Sequence, residues 1–184
     1  MASQQRPNVN DEMFDVAYLE LRRLAKALGR QGRDVTLTPT ALVHEAYIKL
    51  TQGGRFEAES TQHLTYTVVR AMKQILLDAA RRRATTVHGG GLQRVSLDEA
   101  LGRVATVTPT ALLAVGLALD DLAAANPMLA RAFELQYFGG FQVVEIASLM
   151  DISEKRAQRL LRLARAYLAH TLTVAPGPTR PDPA

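Results

Sequence analysis

Three times in this chain a helix-capping residue stands directly before a proline: Thr38-Pro39, Thr108-Pro109 and Asn126-Pro127. The side-chain oxygen of Thr or Asn satisfies a backbone N–H that the first helical turn leaves without a partner, and proline fits only in that first turn. Each pair therefore starts a helix and prevents one from running through it. Downstream of each start, apolar residues recur three and four positions apart, and the alternation of a half-buried strand is missing. The pattern predicts an all-α protein.

The helices follow in order. Asp11 to Leu28 sets Phe14, Ala17, Tyr18, Leu21, Leu24, Ala25 and Leu28 on one side, and Gly29 closes the segment. "TPTALVHEAYIKL" then places Leu42, Val43, Ala46, Tyr47 and Leu50 on one face. "TQHLTYTVVRAMKQILLDAARRR" carries a stripe of Leu64, Val68, Ala71, Met72, Ile75 and Ala79, with Arg70, Lys73, Gln74 and Asp78 outside it. After that helix the composition changes. Gly89-Gly90-Gly91 suits a flexible connector, inside which Ser96 and Glu99 make a capping box. Two helical domains are expected, 11–84 and 108–173, joined by a flexible linker at 85–107. The tail, 174–184, holds four of the eight prolines and is expected to be disordered.

Composition removes several classes of function. The 184 residues contain no cysteine, which excludes disulfides and thiolate metal sites and suits a reducing cytoplasm. No apolar run reaches the ~20 residues of a membrane helix, and the opening "MASQQRPNVNDEMF" lacks the pattern of an export signal. A cytoplasmic protein is expected. "HEAYI" has Ile48 where the zinc-protease motif needs a second histidine, and Gly89 to Gly91 lack both a flanking strand and a Gly-Lys-Ser/Thr ending. No catalytic residue, metal site, cofactor or small-molecule substrate is therefore expected.

The formal net charge is only +4, but its placement is uneven. Residues 85–151 hold three basic and seven acidic residues, whereas 152–170 hold five basic and one acidic. "VVEIASLMDISEKRAQRLLRLARAYL" fits a helix-turn-helix. Val143, Ile146, Ala147 and Met150 give the first helix an inner face, and small Ala147 lets a second helix cross closely. Asp151 occupies the turn, as one of the few residues that tolerate a left-handed backbone. Ile152 plugs the angle and Ser153 caps the second helix. In that helix Ala157, Leu160, Leu161, Ala164 and Leu168 form an apolar arc roughly 100° wide. Lys155, Arg156, Gln158, Arg159, Arg162 and Arg165 take the rest, and Leu163 is a misfit.

Guanidinium groups bind phosphates and guanine edges in a fork, and the early residues of a recognition helix meet base edges in the major groove. Residues 155 to 159 are placed to read or flank bases. Arg162 and Arg165 are placed to hold the backbone. A second basic cluster, Arg81, Arg82 and Arg83, ends the helix that carries Arg70, Lys73 and Gln74. Two basic helical modules on a flexible link suit two separated stretches of one DNA. A dimeric repressor with 127–170 on DNA and 11–83 for dimerisation or ligand sensing, or a protein-interaction adaptor, is an alternative on the same residues.

The stretches "TLTPTALVHEAYIKL", "AMKQILLDAARRR", "GGGLQRVSLDEAL" and "ELQYFGGFQVVEIASLMDIS" resemble bacterial extracytoplasmic-function sigma factors of the sigma-70 superfamily, in the subgroup with a "PTALVHEAY" motif. The resemblance spans about residues 13 to 172. It implies a non-enzymatic protein that binds core RNA polymerase and directs it to promoter DNA. The first domain (region 2) would grip polymerase and open the −10 element, and the second (region 4) would read the −35 element. On this resemblance Asp34, His44, Glu45 and Lys49 belong to polymerase binding. Arg70, Lys73 and Gln74 face −10 DNA, Gly53 to Gln62 form the loop that captures a flipped base, and Ser153 to Arg165 is the −35 reader.

Two departures stand out. Many members carry a cluster of acids before and within the polymerase-binding helix, where this chain has only Asp34 and Glu45 beside Thr36, Thr38, Thr40 and Thr51. Related groups lacking those acids are linked to serine/threonine kinases, and a phosphate adds about −1.5 to −2 charges. This implies activation by phosphorylation, with Thr51, beside Gly53-Gly54, the expected site. The second departure is Ala157 and Gln158, where the family has a larger β-branched residue and a base. Promoter preference therefore does not transfer from relatives.

Overall fold

The computed structural model describes residues 45, 46, 48, 60–86 and 107–174. Among the described residues there is no strand, and five helices account for most of them: α1 (Thr61–Thr86), α2 (Pro109–Ala125), α3 (Pro127–Tyr137), α4 (Val143–Leu149) and α5 (Glu154–Val174). Glu45, Ala46 and Ile48 are also helical, and Ala46 is fully buried. The expected helix over 11–28, Asp34, His44, Lys49, Thr51, most of the 85–107 linker and the tail beyond Val174 lie outside the described residues.

Helix boundaries follow the capping chemistry. Thr108 Oγ1 accepts a 3.3 Å hydrogen bond from the Ala111 amide at the start of α2. Asn126 Oδ1 accepts one of 3.2 Å from Leu129 at the start of α3. Upstream, Ser60 Oγ accepts from the His63 amide at 3.1 Å, so α1 begins at Thr61. Thr61 and Gln62, expected at the end of a base-capturing loop, are therefore the first turn of a helix. Residues 85 and 86, expected in the linker, extend α1, because nothing in "RRRATT" terminates a helix.

Helix α2 is the hub. Its sequence, PTALLAVGLALDDLAAA, is apolar on nearly every side, which suits a helix surrounded by others. It packs against α1, α3 and α5. Leu119 and Leu122 are 0% and 1% exposed, and each such side chain contributes about 1.5–3 kcal/mol by leaving water. Phe133, stacked on Tyr137 with ring centroids 5.1 Å apart, and Phe138 fill the space beneath the α3–α4 turn. That turn needs Gly140, whose φ of 68° is left-handed.

Helix α1 has two buried rows rather than one. Of the stripe expected from the sequence, Leu64, Val68, Ala71, Met72 and Ile75 are buried and Ala79 is half-buried. On the opposite side Tyr66, Lys73 and Leu77 point at the other helices. Leu77 lies against Gly116 of α2, where a Cβ would sit 2.7 Å from its Cδ2. Both rows belong to one continuous core with the residues of α2 to α5. A helix expected in the first domain thus shares its core with helices expected in the second.

Candidate nucleic-acid interface

The candidate interface begins with the turn between α4 and α5. Asp151 has φ 52°, the left-handed value expected for this position. The Ile152 amide returns to the Ala147 carbonyl at 3.0 Å, which tightens the corner. Ser153 Oγ accepts a 3.3 Å bond from the Arg156 amide and so caps α5. Ala147 is 4% exposed, and its small side chain permits the close crossing of α4 and α5.

From that corner α5 presents two contrasting faces. Ala157, Leu161, Ala164 and Leu168 are buried. Leu160, expected in the same arc, is only half-buried, at the edge of the core. Lys155, Arg156, Gln158, Arg159, Arg162 and Arg165 are all exposed. Ser153, Lys155, Arg156 and Arg159 line a shallow groove of about 460 Å³ together with Leu160 and Leu163. Leu163 stays 47% exposed, so the misfit noted in the sequence is a surface leucine. No described group answers these cations on α5 except at one point: Arg165 Nη2 donates to Gln136 Oε1 of α3 at 2.9 Å. Gln136 was not among the residues singled out from sequence, because no spacing on α3 points to a partner 29 residues away.

The α1 cluster is less uniform. Arg70, Gln74, Arg81 and Arg82 are exposed, and Arg83 is half-buried. Arg81 pairs with Asp78 at 2.7 Å, one turn away. Lys73 differs from expectation. It is 7% exposed, and its Nζ lies 2.9 Å from Asp120 Oδ1 and 2.8 Å from Glu134 Oε1. A single apolar stripe on α1 would leave Lys73 on the solvent side with Arg70 and Gln74. The second row, with Tyr66 and Leu77, carries Lys73 into contact with α2 and α3. Burial alone would lower its pKa, but the hydrogen bonds and charges of Glu134 and Asp120 outweigh that and hold it above the usual lysine value. Lys73 therefore keeps its charge while covered.

Arg70 and Gln74 flank the same junction, a cleft of about 490 Å³ between α1 and the α2–α3 pair. Within it Arg131 of α3 lies 3.4 Å from the centroid of the Tyr66 ring. Glu45, the described member of the expected polymerase-binding set, is exposed. No group of three or more His, Asp or Glu among the described residues could hold a metal, and no described helix is long and apolar enough to cross a membrane.

No curated protein and no solved structure matches the chain. The family model described as ECF sigma factor matches residues 4–174, which include both the helix-turn-helix at 143–174 and the basic helix at 61–86. A match over nearly the whole length places this chain in the ECF sigma factor family.

Proposed function

We propose that this chain is an alternative sigma factor whose α5 reads the −35 promoter element while α1 engages the −10 element. Members of the family are transcription regulators rather than enzymes, and their partners are core RNA polymerase and promoter DNA. One observation supports the assignment of α5 most directly. Its four core residues are buried, and the six polar and basic residues from Lys155 to Arg165 are all left on the outer side. A helix so divided fits a major groove with its first turns and grips phosphates with its later ones.

The division of labour assigns Arg70, Lys73, Gln74 and Arg81 to Arg83 to the −10 element. Asp34, His44, Glu45 and Lys49 take polymerase. Thr51 is the proposed phosphorylation site, on the argument that a phosphate replaces the acids lacking around it. The decisive experiment is transcription with core polymerase on a pool of genomic fragments, with start sites mapped. Defined start sites that require this chain support the proposal. Tight binding to a two-fold site without polymerase identifies a repressor instead. For Thr51, T51E is expected to raise transcription in cells and T51A to abolish its induction. Unchanged output from both removes that site.

A further inference from the structure

We infer that the acidic side of α2 and α3 is a built-in stand-in for DNA phosphate, which latches the free chain shut by holding Lys73. The inference rests on the proposed role of α1 in DNA reading. Its ground is a conflict between two demands on one ammonium group. As part of a DNA-reading strip with Arg70 and Gln74, Lys73 needs to reach a phosphate. In the structure its Nζ is filled by Asp120 and Glu134 at 2.9 and 2.8 Å, and both carboxylates come from helices far along the chain. Carboxylates at that distance occupy the place a phosphate oxygen takes in a charge-assisted contact. They also sit beside Arg70 and Gln74 in the same cleft, where their charge repels an incoming nucleic acid.

The latch has further supports on the same face. The Tyr66 hydroxyl donates to the Leu149 carbonyl at 2.8 Å, and Arg131 stacks on the Tyr66 ring. Leu77 rests on Gly116, where any side chain would intrude. The segment between α1 and α2 is 22 residues, 87–108, and includes three consecutive glycines. At about 3.3–3.6 Å per residue when extended, a segment of that length reaches far enough for α1 and α2 to move apart. A partner that binds only the parted form shifts the balance toward it, by no more than its differential affinity for the two forms.

Two variants open the latch by different means. E134Q removes the better-buried carboxylate and keeps a hydrogen-bonding amide of the same shape. G116L wedges α2 away from Leu77 without touching any charge. D121N removes one negative charge next door to Asp120 and serves as the control. Small-angle X-ray scattering reads opening, and fluorescence anisotropy with a random single-stranded oligonucleotide reads access to α1. E134Q and G116L are both expected to expand the chain and to tighten oligonucleotide binding roughly tenfold, with D121N changing neither by more than about twofold. Expansion without tighter binding overturns the inference, as does equal tightening by D121N, or a chain that stays compact in both variants. Core-dependent transcription is measured on the same proteins. Chains that open and bind but never support a defined start sink the sigma-factor role and leave the latch standing. Defined starts from chains that never open sink the latch alone.

Discussion

The hydroxyl of Tyr66 on α1 donates a 2.8 Å hydrogen bond to the carbonyl of Leu149, the last residue of α4. The last carbonyls of any helix lack a partner within it, so a helix ending in a partly buried place needs an outside donor. Tyr66 supplies one from 83 positions away and at the same time carries Arg131 on its ring. Y66F keeps the ring and removes the donor. It is expected to cost about 1 kcal/mol, seen as a lower urea midpoint with unchanged slope. R131M removes the cation and is expected to cost about 0.5–2 kcal/mol. The two losses should fall short of additive in the double variant, because both act on one side chain.

The Gly116–Leu77 contact sets two effects against each other. Alanine in place of a mid-helix glycine ordinarily stabilises by about 1 kcal/mol. Here its Cβ would meet Leu77 Cδ2 at 2.7 Å and Cδ1 at 2.9 Å, and Leu77 is 3% exposed, with little room to turn aside. Overpacking of that kind costs about 1–3 kcal/mol, so the net change for G116A is expected to be a loss. Shortening Leu77 makes the space. L77A in a G116A background should therefore cost markedly less than the ~2–5 kcal/mol expected of L77A alone, and a double-mutant cycle by urea denaturation measures the difference.

At Asp151 the backbone, not the side chain, decides the outcome. Its φ of 52° strains every residue with a Cβ, although Asp tolerates it better than most. D151G is expected to raise stability by about 0.5–1 kcal/mol, or roughly 1–4 °C in Tm for a chain of this size. D151A keeps the Cβ, loses the polar side chain and should lower Tm. A lower Tm for glycine than for aspartate would mean that the Asp151 carboxylate has a role that backbone strain does not capture.

Stability should also have a defined alkaline limit. Lys73 is held above its usual pKa by Glu134 and Asp120 against the opposing effect of burial. Tyr66 is raised by burial, partly opposed by Arg131, and Tyr137 is raised by burial. In all three the folded state binds its proton more tightly than the unfolded chain does. Their contribution is therefore fully present below the unfolded values near pH 10 and is lost as pH rises through the higher folded ones. The urea midpoint should be flat from pH 7 to about 9 and fall above about 10. K73M removes one of the three groups, and its midpoint should decline less steeply over the same range.

What the sequence makes legible is the local chemistry. Thr108, Asn126 and Ser153 cap as their neighbours suggest, Asp151 takes the left-handed turn, and Ala157, Leu161, Ala164 and Leu168 turn inward. These features depend on residues within four or five positions of one another. Lys73 shows where such reading stops. Its surroundings are Asp120 and Glu134, 47 and 61 positions away, and only the packing of α1 on α2 and α3 brings them together. The second buried row of α1 is visible afterwards in Val69, Leu76 and Leu77, but a 26-residue helix with apolar residues on both sides has no single moment direction to point at a partner. Gln136 is hidden for the same reason.

The exposed face of α5 yields the sharpest test of the proposed promoter reading, because its residues should separate by kind of contact. Arg162 and Arg165 lie two and three turns into the helix, where a helix docked by its first turns would leave the groove floor and pass the backbone. R162A should weaken binding of the polymerase-bound chain to every promoter variant about equally and reduce the slope of log affinity against log salt by about 1. R156A, in the first turn beside Ser153, should instead change which −35 bases are preferred, costing about 1–3 kcal/mol at one position and little elsewhere. Arg165 is a third case, since Gln136 Oε1 fixes its guanidinium at 2.9 Å before any DNA arrives. Q136A leaves the charge and frees the side chain, so ordering it on DNA then costs about 0.5–1.5 kcal/mol. Affinity should fall by that amount with the salt slope unchanged. A slope that drops in Q136A as it does in R165A would show that Gln136 does more than hold the arginine still.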